Sequence, residues 1–314
     1  MKALYGKICG LLFAGFFAGF FAVTAYPAIG CSPAQTSSET QGTAEKKDDG
    51  VVRILAIGNS FSQDAVEQYL YELFDAAGIK VVIGNMYIPG CSLERHYNNS
   101  VSDKAEYAYR KIVDGEKTNT PKTKLIDALL DEPWDYISLQ QASGKSGEYD
   151  TYNPYLKSLI SYLRKYAPKK DFKLVWHQTW AYASDSDHKQ FPNYGSDQMR
   201  MYEAIMAATR NALKDNKFDV LVPSGTAIQN ARTSYVGDKM NRDGYHLEVN
   251  YGRYTAACTW FEAISGKKVV GNSYAPATVD DGKKAVAQNA AHDAVRHPYK
   301  VTIMKAFQTA PSAK

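Results

Sequence analysis

Short apolar runs rich in Val, Ile and Leu recur along the chain, and between them lie longer segments in which apolar residues return every three or four positions. The short runs read as buried strands and the longer segments as helices with one buried face. Strands are predicted over residues 51–57, 80–87, 136–139, 173–177 and 219–222. Helices are predicted over 64–77, 103–113, 123–130, 154–166 and 196–215, with a last, Ala-rich helix over 279–295. Strands alternating with helices imply a three-layer α/β sandwich with a central parallel sheet and right-handed crossovers. The charged, polar stretch from Ser92 to Thr123 is expected to form a lid or pocket wall.

In such sheets ligands bind beyond the carboxyl ends of the strands, so the residues that follow each strand carry the chemistry. The first strand breaks at Gly58-Asn59-Ser60. The second is followed by Ile88-Pro89-Gly90-Cys91-Ser92, the third by Gln140-Gln141-Ala142-Ser143-Gly144, and the fourth by Gln178-Thr179-Trp180-Ala181-Tyr182. Beyond the fifth lies Arg242-Asp243-Gly244-Tyr245-His246. A serine hydroxyl becomes a nucleophile when a base takes its proton and a third group orients the base. Ser60 at the strand-to-helix break is the expected nucleophile, His246 the base, and Asp243, three residues earlier, its orienting acid. A tetrahedral oxyanion needs donors already in place. The backbone N–H groups of Ser60 and Gly90 are expected to serve, with a side-chain amide from Gln140 or, less favoured, Gln141. Arg95, His177, Trp180 and Tyr182 stand in the same loops and are expected to touch substrate. A metal reading of Glu94-Arg95-His96 fails because no second ligand group stands at a metal-like spacing.

Composition narrows the setting. The chain has 314 residues, 45% of them hydrophobic, and a formal net charge of +4, which gives no support for nucleic-acid binding. Residues 1–30 read as a lipoprotein-type signal: Lys2 and Lys7, an apolar run over 11–23, then Pro27-Ala28-Ile29-Gly30 before Cys31, the expected lipidation site. Residues 31–50 are polar and Ser/Thr-rich, the composition of a flexible tether. The catalytic domain is expected over 51–314, outside the cytoplasm, on the periplasmic or cell-surface side of a bacterial outer membrane. Cys91 and Cys258 are left as either a pair or two buried thiols.

Taken together, Gly58-Asn59-Ser60-Phe61-Ser62, Leu139-Gln140-Gln141-Ala142-Ser143-Gly144, His177-Gln178-Thr179-Trp180-Ala181-Tyr182 and Asp243-Gly244-Tyr245-His246-Leu247 resemble the SGNH (GDSL-type) hydrolase superfamily. The resemblance spans nearly all of residues 51–265. It implies a flavodoxin-like sheet of about five parallel strands ordered 2-1-3-4-5. It also implies ester hydrolysis through an acyl-serine, without metal or organic cofactor. The superfamily's usual Gly-Asp-Ser is here Gly58-Asn59-Ser60, and its third block lacks the usual asparagine, for which Gln140 looks like the counterpart. The expected substrate is an O-acyl, most simply O-acetyl, ester on a carbohydrate. A lipase or thioesterase, and a non-catalytic glycan-binding lipoprotein on the same fold, are the alternatives.

Overall fold

The computed structural model describes residues 49–311; the expected signal segment, Cys31 and nearly all of the tether lie outside these residues. A seven-stranded sheet forms the middle layer. Five of its strands are parallel: β1 (Val51–Gly58), β2 (Lys80–Tyr87), β5 (Tyr136–Leu139), β6 (Lys173–His177) and β7 (Val220–Val222). They stand in the order β2-β1-β5-β6-β7, which for the five expected strands is 2-1-3-4-5. Strands β3 (Tyr107–Val113) and β4 (Glu116–Thr123) extend the β2 edge as an antiparallel hairpin.

Strand β1 is buried on both sides, as a central parallel strand must be. Ile54 and Ala56 enter one apolar cluster, Leu55 and Ile57 the other. Helices α1 (Ser60–Val66), α2 (Leu70–Asp75), α7 (Ser224–Arg232), α8 (Tyr251–Ser265) and α9 (Asp281–Arg296) cover the first face. Helices α3 (Leu93–Val101), α4 (Leu125–Asp131) and α5 (Tyr155–Tyr166) cover the second. On α5 the inward stripe is Leu156, Leu159 and Leu163, all fully buried; each contributes roughly 1.5–3 kcal/mol relative to exposure. Helix α6 (Gln198–Asp215) turns Met201 and Ile205 into one cluster and Ala208 and Ala212 into the other.

Three expectations are corrected. The helix expected over 103–113 is strand β3, in which Tyr107, Tyr109 and Ile112 are buried against β2 and its flanking layer. The helix expected over 64–77 starts at Ser60 and is two helices, broken where Tyr69 takes a left-handed φ of 68°. The expected lid over 92–123 is helix α3 plus the β3–β4 hairpin, so most of it is sheet edge. The hairpin turns at Asp114-Gly115, with φ of 50° and 82°, which suits a two-residue turn. Strand β4 is exposed along nearly its whole length and carries Lys117, Pro121 and Lys122, residues that discourage further strand pairing.

Cys91 and Cys258 are both free and buried. Burial pushes the Cys91 thiol up to about 12. Among the described residues no helix is long and apolar enough to cross a membrane.

Candidate active site

Strand β1 delivers Ser60 to the carboxyl edge of the sheet. Gly58 is required there by space: a Cβ would lie 2.6 Å from Ser62 Oγ and 3.0 Å from Gln140 Cδ. Asn59 caps α1, its Oδ1 accepting from Phe61 N–H at 2.9 Å. Ser60 is then the first residue of α1 and half-buried. A first helical N–H has no intrahelical acceptor, so the Ser60 N–H is free of the helix's own bonding. Ser60 Oγ has no hydrogen-bond partner among the described residues.

Behind Asn59 a buried chain of hydrogen bonds runs along the strand ends. Asn59 Nδ2 donates to the Cys91 carbonyl at 3.0 Å. Gln140 Nε2 donates to Asn59 Oδ1 at 3.0 Å, and Gln140 Oε1 faces His177 Nδ1 at 2.8 Å. His177 Nε2 lies 3.1 Å from Ser224 Oγ. The polarity follows from one end. A carbonyl accepts only, so Asn59 presents its NH₂ to Cys91 and its oxygen to Gln140. Gln140 must then present NH₂ to Asn59 and its oxygen to His177. His177 carries its proton on Nδ1 and accepts from Ser224 on Nε2. Burial holds His177 neutral, its pKa lowered to about 3. Ser224, His177, Gln140 and Asn59 are each at most 2% exposed, so the chain lies beneath the surface and fixes the Asn59 cap from below.

The Asp243–His246 pair sits on a tight hairpin. Asn241 and Leu247 form an antiparallel bridge, and Arg242 N–H donates to the His246 carbonyl at 3.0 Å. Asp243 Oδ1 accepts from His246 N–H at 2.7 Å and from Tyr245 N–H at 3.2 Å. Its Oδ2 accepts from His246 Nδ1 at 2.7 Å. A carboxylate only accepts, so Nδ1 carries a proton, and in the neutral imidazole the lone pair is on Nε2. Partial burial would raise the Asp243 carboxyl, but the hydrogen bonds from His246 outweigh it and leave its pKa below the ordinary value. Three elements hold the hairpin. Trp180 Nε1 donates to the Tyr245 carbonyl at 2.8 Å, Arg232 donates to Asn241 Oδ1 at 2.6 Å, and Asp64 of α1 accepts from Leu247 N–H at 2.8 Å. The His246 ring packs 4.2 Å from the Tyr245 ring and 6.2 Å from Phe61, the neighbour of Ser60, centroid to centroid. No hydrogen bond joins Ser60 to His246 in this structure; substrate-free catalytic pairs are often longer than in the reacting complex.

Other expected site residues fall elsewhere. His177 is fully buried and engaged on both nitrogens, so it does not reach substrate. Trp180 is fully buried, stacked on Phe61 at 4.2 Å and 5°, and cannot receive a sugar ring. Tyr182 is likewise buried, its hydroxyl 2.9 Å from Ser143 Oγ. Gln140 spends its amide on Asn59, which makes it a support for the Ser60 turn. Gln141 Oε1 accepts from Leu93 and Ala142 N–H, and its Nε2 donates to Thr151, so both ends serve the fold. Gly90 stands exposed with φ of 59° and open space where a Cβ would be, so its N–H remains available to a ligand. Arg95 pairs with Glu106 at 3.1 Å on the rim of a polar cleft of about 300 Å³, which Ser92, Asn98, Asn99 and Lys104 also line. Sequence reasoning missed Asn59, Asp64 and Ser224. The Asn59 cap had a signal, an Asn directly before a helix; the other two had none, since their partners are far along the chain. Among the described residues no group of three His, Cys, Asp or Glu is placed to hold a metal ion.

Comparison with known proteins places the chain in a family. The crystal structure of a DUF4886 family protein from Bacteroides uniformis is 53% identical, covering 82% of this chain and 99% of that one, with a TM-score of 0.80. An acetyl xylan esterase, AlAXEase, is 15% identical over 68% of this chain and 100% of its own, with a TM-score of 0.45. Axe2, an acetylxylan esterase from Geobacillus stearothermophilus, is 12% identical over 72% of this chain and 97% of its own, with a TM-score of 0.44; likenesses this loose carry no argument about chemistry. No curated protein matches the chain by sequence. The family model described as "Domain of unknown function (DUF4886)" matches residues 53–294, and the chain belongs to that family.

Proposed function

We propose that the protein is a serine hydrolase of the SGNH type that cleaves carboxylic esters, with O-acetyl groups on carbohydrates as the simplest substrate. The observation that carries this reading is the Asp243–His246 pair. Its 2.7 Å bond sets the imidazole tautomer that a base requires, on a hairpin packed against the helix that begins at Ser60. In the proposed reaction His246 Nε2 takes the Ser60 proton as Oγ attacks the ester carbonyl. The oxyanion rests on the N–H groups of Ser60 and Gly90. Its collapse expels the alcohol, which takes the proton from His246. Water, deprotonated by His246, then attacks the acyl-serine, releases the acid and restores Ser60.

The test is hydrolysis of p-nitrophenyl acetate and of acetylated xylan by wild type and Ser60→Ala. Loss of at least about a thousandfold in the variant is expected; equal rates contradict the nucleophile. Glycan binding without hydrolysis of any ester would instead mark a binding protein on this fold. The same reading puts the protein outside the cytoplasm, held to a membrane by a lipid on Cys31. Cys31→Ala is expected to move it from the membrane pellet to the soluble fraction, and an unchanged distribution contradicts the anchor.

A further inference from the structure

Asp64 is among the most buried charges in the protein, with its side chain 1% exposed. It stands four residues after Ser60 on α1, so the two share a helix face one turn apart. Its Oδ2 accepts from Leu247 N–H at 2.8 Å. Arg242 Nη1 reaches both carboxylate oxygens at 3.3 and 3.4 Å, and Arg253 Nη2 pairs with Oδ1 at 2.6 Å. Arg242 and Leu247 are the two ends of the turn that carries Asp243 and His246. One carboxylate on the serine's helix therefore holds both legs of the base's hairpin.

Stability alone gives little reason for this arrangement. Taking a carboxylate and a guanidinium out of water costs several kcal/mol per ion, and apolar replacements of similar volume are often as stable or more so. What the buried carboxylate supplies is geometry: a backbone N–H accepted at 2.8 Å and a bifurcated contact from Arg242 Nη1 at 3.3 and 3.4 Å tie both ends of the hairpin to α1. Loop anchors elsewhere do not replace it. Trp180 and Arg232 hold the hairpin from the loop after β6 and from α7, but neither belongs to the element that bears Ser60.

We propose that Asp64 is the positioning residue that sets the approach of His246 to Ser60. This rests on the assignment of those two residues as base and nucleophile. Asp64 touches neither substrate nor the reacting atoms; it acts through Leu247 and Arg242. A misplacement on the order of 1 Å costs about a hundredfold in rate, so its effect should fall on kcat and leave KM nearly unchanged.

The test compares wild type, Ser60→Ala, Asp64→Asn and the double variant Asp64→Asn/Arg253→Gln, by steady-state hydrolysis of p-nitrophenyl acetate and by thermal unfolding. Asp64→Asn keeps the shape but leaves Arg253 with an uncompensated buried charge, so it is expected to melt lower. The double variant removes the two most buried charges, Asp64 and Arg253, leaves the more exposed Arg242, and is expected to recover most of that loss. Recovery of the melting temperature with kcat still about tenfold to a hundredfold down, and KM within about twofold, is the predicted result. Wild-type kcat in the folded double variant overturns the role of Asp64 while leaving the hydrolase reading intact. Equal hydrolysis by wild type and Ser60→Ala overturns the hydrolase reading, and the proposal for Asp64 with it.

Discussion

Gln140 shows how much one buried side chain can do without touching a ligand. It accepts from His177 Nδ1 at 2.8 Å and donates to Asn59 at 3.0 Å. Truncating it orphans a buried imidazole N–H and removes one of the bonds that hold the Asn59 cap. A buried donor left unpaired costs about 1–3 kcal/mol, and the vacated volume adds to that. Gln140→Ala should therefore lower the free energy of unfolding by about 2–4 kcal/mol in urea titration. An amide that served only an oxyanion would leave stability within about 0.5 kcal/mol of wild type, and that result would contradict the supporting role. The residue itself was visible in the sequence as a glutamine after the third strand. Which way its amide points was not, because the answer depends on His177 and Asn59, 37 and 81 residues away.

Elements were legible where their apolar pattern differed between two sides. The five parallel strands stood out as apolar runs, α5 and α6 as stripes, and α9 by its alanine content. Helices α7 and α8 did not, because they lack an exposed face: all nine residues of α7 are buried, and α8 is buried from Tyr254 through Glu262. A helix covered on every side leaves no amphipathic period to find. Strand β4 fails in the opposite way, since nearly all of it is exposed; the Asp114-Gly115 turn was the available clue to the hairpin. The start of α7 also shows what close packing demands of one residue. A Cβ on Gly225 would lie 2.2 Å from the Thr179 carbonyl oxygen. Gly225 N–H donates to the Gln178 carbonyl at 3.1 Å, and Ser224 ends the buried chain behind Ser60. Gly225→Ala must push α7 away from the β6 loop, and is expected to cost about 1–3 kcal/mol or more. Its melting temperature should fall by several degrees; a wild-type value would mean that the loop yields freely.

For the molecule as a whole, two fully buried histidines set a dependence on acid. Burial lowers the pKa of His96 and of His177 to about 3, against an ordinary value of 6.5. Between those values the unfolded chain holds more protons than the folded one, so stability falls as pH drops from about 6.5 toward 3. Each histidine contributes at most about 1.4 kcal/mol per pH unit. The urea midpoint should therefore decline steadily from pH 6.5 to pH 4. His96→Gln, at a position on α3 whose imidazole contacts Tyr107 of β3 at 3.0 Å, should make the decline shallower, and an unchanged slope would contradict a neutral buried His96. At this scale the strand order followed from the superfamily resemblance, and the alternation of strands and helices and the run of polar loops at one edge were readable from pattern. The fastening of the base's hairpin to the serine's helix was not, because Asp64 and Leu247 lie 183 residues apart. The claim at the centre of the proposed function is that Ser60 is the nucleophile. The most direct measurement is the intact mass after treatment with a fluorophosphonate, followed by peptide mapping. A nucleophilic serine displaces fluoride and keeps the phosphonyl group. The account predicts one equivalent of label per chain, mapped to Ser60 and absent from Ser60→Ala; no label, or equal labelling of the variant, would contradict it.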